Sequence, residues 1–303
     1  MNQIIDKEYS KNLWQSLKAM DTLSNVPNDA HAPNLTLFLP TEDNVRYQKV
    51  LKANSSFRQI ATTAVTNHTD NTIYVSNFAE SAQWTAPGSP INLYDSVDTF
   101  DRLPIDCHKL AMVTQIDEYF AQDAAFDFKS YFILMLAKAF SRAEDNAFVN
   151  GTGIDMPKGI LHENYGAETG LIVSATNLSA DDVIRLYFSL DKEYRKNASW
   201  MMNDDTLMAL RSLKDSSGRF IFENDLLLGK PVSINNAMPS EATGTKPIAF
   251  GDFSYYWIVD RMPLSVRALY EKFINTRHIG YLAIEYLDGV LSRRDAIKVV
   301  QMA

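Results

Sequence analysis

The side chains able to do metal or nucleophilic chemistry are few in this sequence. They are one cysteine, Cys107, and five histidines, at positions 31, 68, 108, 162 and 278. A zinc helix places two histidines four residues apart, and a structural zinc site gathers several cysteines. Neither spacing is present, and only His108 stands beside the thiol. Gly151-Thr-Gly153 lacks the third glycine and preceding strand of a dinucleotide loop, and the Gly-Lys-Ser/Thr ending of a phosphate loop. It reads instead as a left-handed helix stop. No Gly-x-Ser-x-Gly elbow occurs. The acidic pairs Asp181-Asp182 and Asp204-Asp205 precede helical patterns, where carboxylates cap free N–H groups and complement the dipole. Acceptor patterns for glycosylation at Asn67, Asn150 and Asn177 require a secretory route to matter. No catalytic, cofactor-binding or metal constellation emerges, so the chain reads as a structural protein and not an enzyme.

Composition narrows the class further. A chain of 303 residues that is 46% hydrophobic can bury roughly 75% of its unfolded surface. The lone cysteine excludes an intrachain disulfide, leaving packing or assembly to supply stability. No run approaches the length of a membrane span, and the amino terminus has no basic start with an apolar stretch behind it, so synthesis in the cytoplasm is expected. The net charge of −8, with scattered basic residues, is unlike a protein that reads DNA through a basic stripe.

The elements that would position any site follow from periodicity. Residues 5–22 carry Ile5, Leu13, Leu17 and Met20 at helical spacing, and Asn25 to Pro33 breaks the pattern into a loose arm. A second helix is predicted from Thr41 to Leu51, then strands over 57–65 and 72–75. From Ser76 to Asp106 the chain shows neither period, yet it carries Phe78, Trp84, Ile91, Leu93, Tyr94, Val97 and Phe100. Long loops of this kind are usually functional, and this one is too apolar for disorder. It therefore orders against something, either its own domain or a neighbouring subunit.

After a strand over 110–116, the strongest helix in the chain is predicted for 128–149, about 33 Å long at 1.5 Å per residue. Asp127 is its N-cap, Phe128, Phe132, Leu136 and Phe140 form its stripe, and Asn150-Gly151 its stop. The first half should be the deeply buried end. A helix capped by Ser179 should run to Lys196, a buried strand cover 200–202, and Asp204 cap a helix bearing Leu207, Leu210 and Leu213. Short strands over 231–234, 248–250, 256–259 and 264–268 lead to a terminal strand pair, 281–291 with 296–302. The fold class is α+β.

The stretch from Trp200 to Phe222, WMMNDDTLMALRSLKDSSGRFIF, resembles the major capsid family of tailed bacteriophages, the Hong Kong 97-type fold shared with encapsulins. Further marks fall in order: Glu144 to Gly153, Pro157-Lys-Gly-Ile-Leu161, Leu228-Gly-Lys-Pro-Val232, Phe250-Gly-Asp-Phe253 and Asp295-Ala-Ile-Lys-Val-Val300. The resemblance runs from about Thr72 to the carboxyl terminus. It implies an N-terminal arm (1–55), a peripheral P domain (56–75, 107–158 and 285–303) built on the long spine helix, an extended E-loop (76–106) and an axial A domain (159–284). It also implies E-loop contacts to other subunits, for which Phe78, Trp84, Leu93, Tyr94 and Phe100 are the candidates.

The implied function is self-assembly, through pentamers and hexamers, into the icosahedral head around a double-stranded DNA genome. That DNA would be touched without sequence preference. The shell would be assembled in the bacterial cytoplasm and located in the virion, with a portal, a separate scaffold protein and a decoration protein as further partners. No lysine lies between Lys52 and Lys109, so the lysine–asparagine cross-link of some relatives is not implied. Only a short arm precedes the resembling region, so a separate scaffold or a removed extension is expected. The other reading within the fold is an encapsulin-like compartment holding enzyme cargo.

Overall fold

The computed structural model describes residues 2–18, 37–66, 71–76, 84–88, 100–123, 126–174, 177–214, 217–222, 226–270 and 272–303. In chain order the elements are α1 (Asn2–Lys18), β1 (Leu37–Phe38), α2 (Thr41–Asn54), α3 (Ser56–Ile60), β2 (Thr62–Val65), β3 (Asn71–Ser76), β4 (Phe100–Ile105), β5 (His108–Asp117), α4 (Glu118–Gln122) and α5 (Phe128–Asn150). They continue with β6 (Glu168–Val173), α6 (Ala180–Ser189), α7 (Lys192–Arg195), β7 (Ser199–Met202), α8 (Asp204–Arg211), β8 (Leu226–Leu227), β9 (Lys230–Ile234), β10 (Ile248–Gly251), β11 (Tyr256–Leu269), β12 (His278–Leu291) and β13 (Ile297–Met302). One sheet has the order β1-β11-β12-β5, with β2 parallel to β11. A second has the order β6-β13-β10-β7-β9-β8, and among the described residues β3 pairs with β4 alone as a separate ribbon.

Helix α5 lies against the first sheet, and its sequence explains why. Asp127 accepts from the Ser130 amide at 3.1 Å, and Phe128, Phe132, Leu136 and Phe140 bury one stripe. That stripe meets Leu264, Val266, Tyr281 and Ala283 of the sheet and Leu13, Trp14 and Leu17 of α1 in one core. The buried end is not confined to the first half of the helix. Tyr131 and Leu134 are 44% and 42% exposed, whereas Glu144, Phe148 and Val149 are buried in a second core between the two sheets. A third core fills the outer face of the second sheet, where Trp200 stacks on Phe250 at 4.1 Å beneath α6 and α8.

The two amino-terminal helices expected from the sequence are present as α1 and α2 and pack into the body: the Trp14 indole donates to Asp43 at 2.8 Å, and the Tyr281 hydroxyl donates to the Leu17 carbonyl. Several other elements differ from the sequence reading. The stretch Asn25 to Pro33 lies outside the described residues. Ser56–Ile60 is helical, not extended, because Ser55 accepts from the Arg58 amide and starts a turn. The helix expected to reach Lys196 ends at Ser189, and Asp191 caps a separate turn. Asn203, not Asp204, caps α8, accepting from the Thr206 amide at 2.7 Å. Strand β11 is continuous, with register shifts between Asp260 and Met262 and between Met262 and Ser265, around a Pro263 that has no N–H to give a ladder.

The terminal pair is also different. Strand β12 pairs with β11 and β5, whereas β13 crosses to the second sheet between β10 and β6. The turn at Arg294–Ala296 and the Asp252 amide bond to Ala296 carry the chain across. The expected division at 284/285 therefore cuts through β12 instead of following the sheets. Gly151 ends α5 at φ −61°, in extended rather than left-handed backbone. A glycine is still required there, since a Cβ would lie 2.0 Å from the Pro157 carbonyl oxygen. The chain doubles back so closely that Gly159 meets the same limit against the Val149 carbonyl.

A buried charged cluster joins these parts. Arg58 of α3 donates to Glu144 of α5 at 2.6 and 2.7 Å, and to Asp260 of β11 at 2.8 and 2.7 Å. Beside them Glu285 of β12 accepts from the Tyr47 hydroxyl at 2.8 Å, while its Oε1 has no partner. Burial, reinforced by the neighbouring Glu144, pushes Glu285 up to about 8, so it is neutral at pH 7. Removing one partner of such a buried pair strands the others. Arg58→Ala should lower unfolding free energy by about 3–5 kcal/mol in denaturant titration, and a loss under about 1 kcal/mol would contradict the account.

The pH dependence has a definite sign. A carboxyl whose folded value lies above its unfolded 4.5 binds more protons in the folded state, so stability falls as pH rises from about 4.5 towards 8 and levels beyond. Glu285→Gln should remove this part of the slope while keeping the Tyr47 bond. Parallel stability profiles for variant and parent between pH 5 and 9, measured on unassembled subunits, would show that Glu285 does not titrate in that window.

Candidate assembly surface

Several of the described residues weighed for chemistry in the sequence make local structural contacts. Ser179 and Asp182 form a capping box at α6, and Asp204 and Asp205 occupy the first turn of α8. The His162 Nδ1 accepts from the amides of Asn164 and Tyr165 at 3.1 and 3.2 Å, and His278 lies 2.6 Å from the Thr276 carbonyl. His31 and His68 lie outside the described residues. His108 stands near Asp288 and Asp106, the one group of possible metal ligands among the described residues.

The more telling surface is apolar. Strands β3 and β4 pair antiparallel from Asn71↔Ile105 to Ser76↔Phe100 and form a ribbon outside both larger sheets. Strand β4 was hidden in the sequence because Pro104 breaks its pattern, yet in a two-stranded ribbon a proline can face the open edge. Tyr74 is 61% exposed on this ribbon, with the Arg102 guanidinium 5.7 Å from its ring. Beyond it, Trp84 is fully exposed, an unusual state for the largest apolar side chain. The backbone of Phe100 opens β4; Phe78, Leu93 and Tyr94 lie outside the described residues. Of the five candidate contact residues, Trp84 is thus the one whose side chain is shown free of its own subunit.

A second apolar surface escaped the sequence reading. Tyr119 and Phe120 of α4 are exposed beside Tyr131 and Leu134 of α5. The Phe120 ring packs 4.1 Å from Phe126, which lies 5.2 Å from Tyr131. The Tyr119, Phe120 and Tyr131 rings border an open cavity of about 470 Å³ completed by Gln115, Ile116, Asp117 and Asp123. The sequence offered only a short aromatic run between the strand and the spine helix, too short to show a period that would have singled these rings out. Further exposed apolar side chains are Met208 of α8 and, beyond that helix, Phe220, Ile221 and Leu226. Monomeric proteins seldom leave several apolar patches open, and such patches mark sites of association.

The described helices include none long and apolar enough to cross a membrane. None of the curated proteins compared matches the chain. The model of the phage capsid family matches residues 37–302, well upstream of the Thr72 limit read from the sequence. Among solved structures, the capsid of an empty GTA particle is 31% identical, covering 82% of this chain and 90% of its own, with a TM-score of 0.72. The capsid of the native GTA particle is likewise 31% identical over the same shares, with a TM-score of 0.67. Microbacterium phage Oxtober96 provides a chain only 13% identical, covering 82% of this chain and 91% of that one, with a TM-score of 0.59; it shows the fold alone. Matched over nearly its whole length, with an α+β fold shared by such distant capsids, the chain belongs to the phage capsid family and is a major capsid protein, one of the many identical subunits of an icosahedral phage head.

Proposed function

We propose that the β3–β4 ribbon is the E-loop through which each subunit grips its neighbour, and that Trp84 is its principal anchor. The observation that supports this reading is the full exposure of Trp84 on an extension that neither larger sheet needs for its own pairing. Burying such a ring removes apolar area from water at about 25 cal/mol per Å², a gain realised only in the oligomer. The same reading makes the first sheet with α5 the P domain and the second sheet the A domain, with boundaries that follow the strands. It assigns α1 to the N-terminal arm.

Within that scheme the subunits form pentamers and hexamers in the bacterial cytoplasm, and the shell takes up double-stranded DNA without sequence preference. The net charge of −8 fits a wall that encloses DNA without gripping it tightly. A portal, a separate scaffold protein and a decoration protein complete the set of partners, and the role is structural, not enzymatic. The family match disfavours the encapsulin-like alternative.

Two outcomes test the scheme. Replacing residues 81–100 by a short Gly-Ser linker, or Trp84 by Ala, should leave subunits with unchanged circular dichroism that no longer close into shells by electron microscopy. Intact shells from both variants would remove the ribbon from the interface, and an unfolded Trp84→Ala subunit would place the ring in its own core. Shells of the parent, boiled in detergent, should run as one band at 34.2 kDa. A ladder of covalent oligomers would overturn the non-covalent assignment.

A further inference from the structure

The corner where the ribbon enters the first sheet brings together three side chains from distant parts of the chain. Asp106 lies between β4 and β5, His108 opens β5, and Asp288 lies in β12. One ligand atom from each stands within 4.8 Å of the other two, and His108 Nε2 is 3.5 Å from Asp288 Oδ1. Two ligands on one ion with bonds of about 2.1 Å stand between about 3 and 4.2 Å apart, so a small swing of the exposed Asp106 closes the set. Asp288 is buried and held: its Oδ2 accepts from the Asp106 amide and its Oδ1 from the Gly289 amide, each at 2.7 Å. Backbone donors that fix a carboxylate in place pre-orient it as a ligand.

A cation already nearby, Lys158, is replaceable. Lys158 Nζ lies 3.9 Å from Asp106 Oδ2, a long contact, and the same ammonium sits 4.8 Å from the centre of the Tyr165 ring. It therefore has a second partner to keep when Asp106 turns away. We propose that Asp106, His108 and Asp288 form a site for one divalent transition-metal cation, zinc foremost, with water filling the positions open to solvent beside Asp106. One imidazole and two carboxylates suit zinc, manganese or nickel better than calcium or magnesium, which prefer all-oxygen shells. A bound ion adds a further link between the root of the ribbon and β12, beside the Asp106 amide bond to Asp288 and the pairing of His108 with Leu287.

The test uses zinc chloride alone, titrated by calorimetry into purified full-length subunits, with thermal unfolding as a second reading. The expected result is one saturable site per chain and a higher unfolding temperature with zinc. Asp106→Asn and His108→Ala should each weaken binding by at least about tenfold. Asp106 is exposed, so its variant folds even if the half-buried histidine proves structural. Lys158→Ala should tighten binding by removing the competing ammonium, and Cys107→Ser should leave it unchanged. Absence of a saturable site, or equal affinity in the parent and the first two variants, overturns the proposal. Loss of binding in Cys107→Ser alone moves the metal to the thiol and overturns it as well.

Discussion

Everything in the subunit hinges on one buried guanidinium. Arg58 sits with 2% of its surface exposed between Glu144 and Asp260 and is ion-paired to both. Desolvating three charges is expensive, and an apolar substitute of equal volume is often no less stable. What the apolar substitute lacks is direction. The planar fork of arginine engages both carboxylates through paired bonds, so α3, α5 and β11 can meet in only one register. The helix before β2 is thereby fixed onto the spine helix, and β2 is set parallel to β11 opposite Trp257 to Asp260.

From that fixed point the packing divides in two directions. Toward the amino end of α5, the rings of Trp14, Phe128, Phe132 and Tyr281 meet edge to face or tilted at 5.0–6.2 Å, apart from the stacked Phe128–Phe132 pair at 5.4 Å, and close the first core. Toward its carboxyl end, Phe57, Phe148 and Tyr256 form a second ring cluster against β13 and β10, joining the sheets. The body is thus saturated with its own aromatic contacts. Other rings, among them Tyr74, Trp84, Tyr119 and Phe120, are left exposed on the surface.

The sequence made the spine helix and its cap legible because a long amphipathic period and an Asp before it are local properties. The same holds for the buried strand at Trp200–Met202, whose four-residue element is buried throughout. What stayed hidden was set by distant partners. Ser292-Arg-Arg-Asp looks like a hairpin turn, and only the pairing of β13 with β10 shows that it is a crossover between sheets. The Arg58 cluster spans residues 58 to 285, and the group around His108 depends on Asp288, so neither could register in a spacing test. Exposed rings such as Tyr119 and Phe120 also went unmarked in the sequence. Hydrophobic pattern reports that Tyr119 and Phe120 avoid water, and it cannot say whether the apolar neighbour belongs to the same chain.

The family marks become intelligible as geometry. Gly151 and Gly159 let two backbone segments pass at a distance that excludes any Cβ, and Gly251 does the same against Ala296 and Ile297. Leu228 and Gly229 both have positive φ, 51° and 74°, the backbone of a tight primed turn that reverses β8 into β9. These positions govern how chain segments cross, whereas most core positions need only volume and apolarity. A fold can therefore keep its crossings while side chains elsewhere drift, which accounts for a shared architecture at 13% identity. Assembly imposes a second constraint of the same kind. The exposed rings lie on different elements, on the ribbon, at α4 and beyond α8, so no single patch faces itself. A surface arranged that way favours contacts that run head to tail, and such contacts must close into rings or grow without limit. Under the proposed assignment of the ribbon as the E-loop, the body would fix the angle between subunits and the ribbon would reach the neighbour that angle supplies.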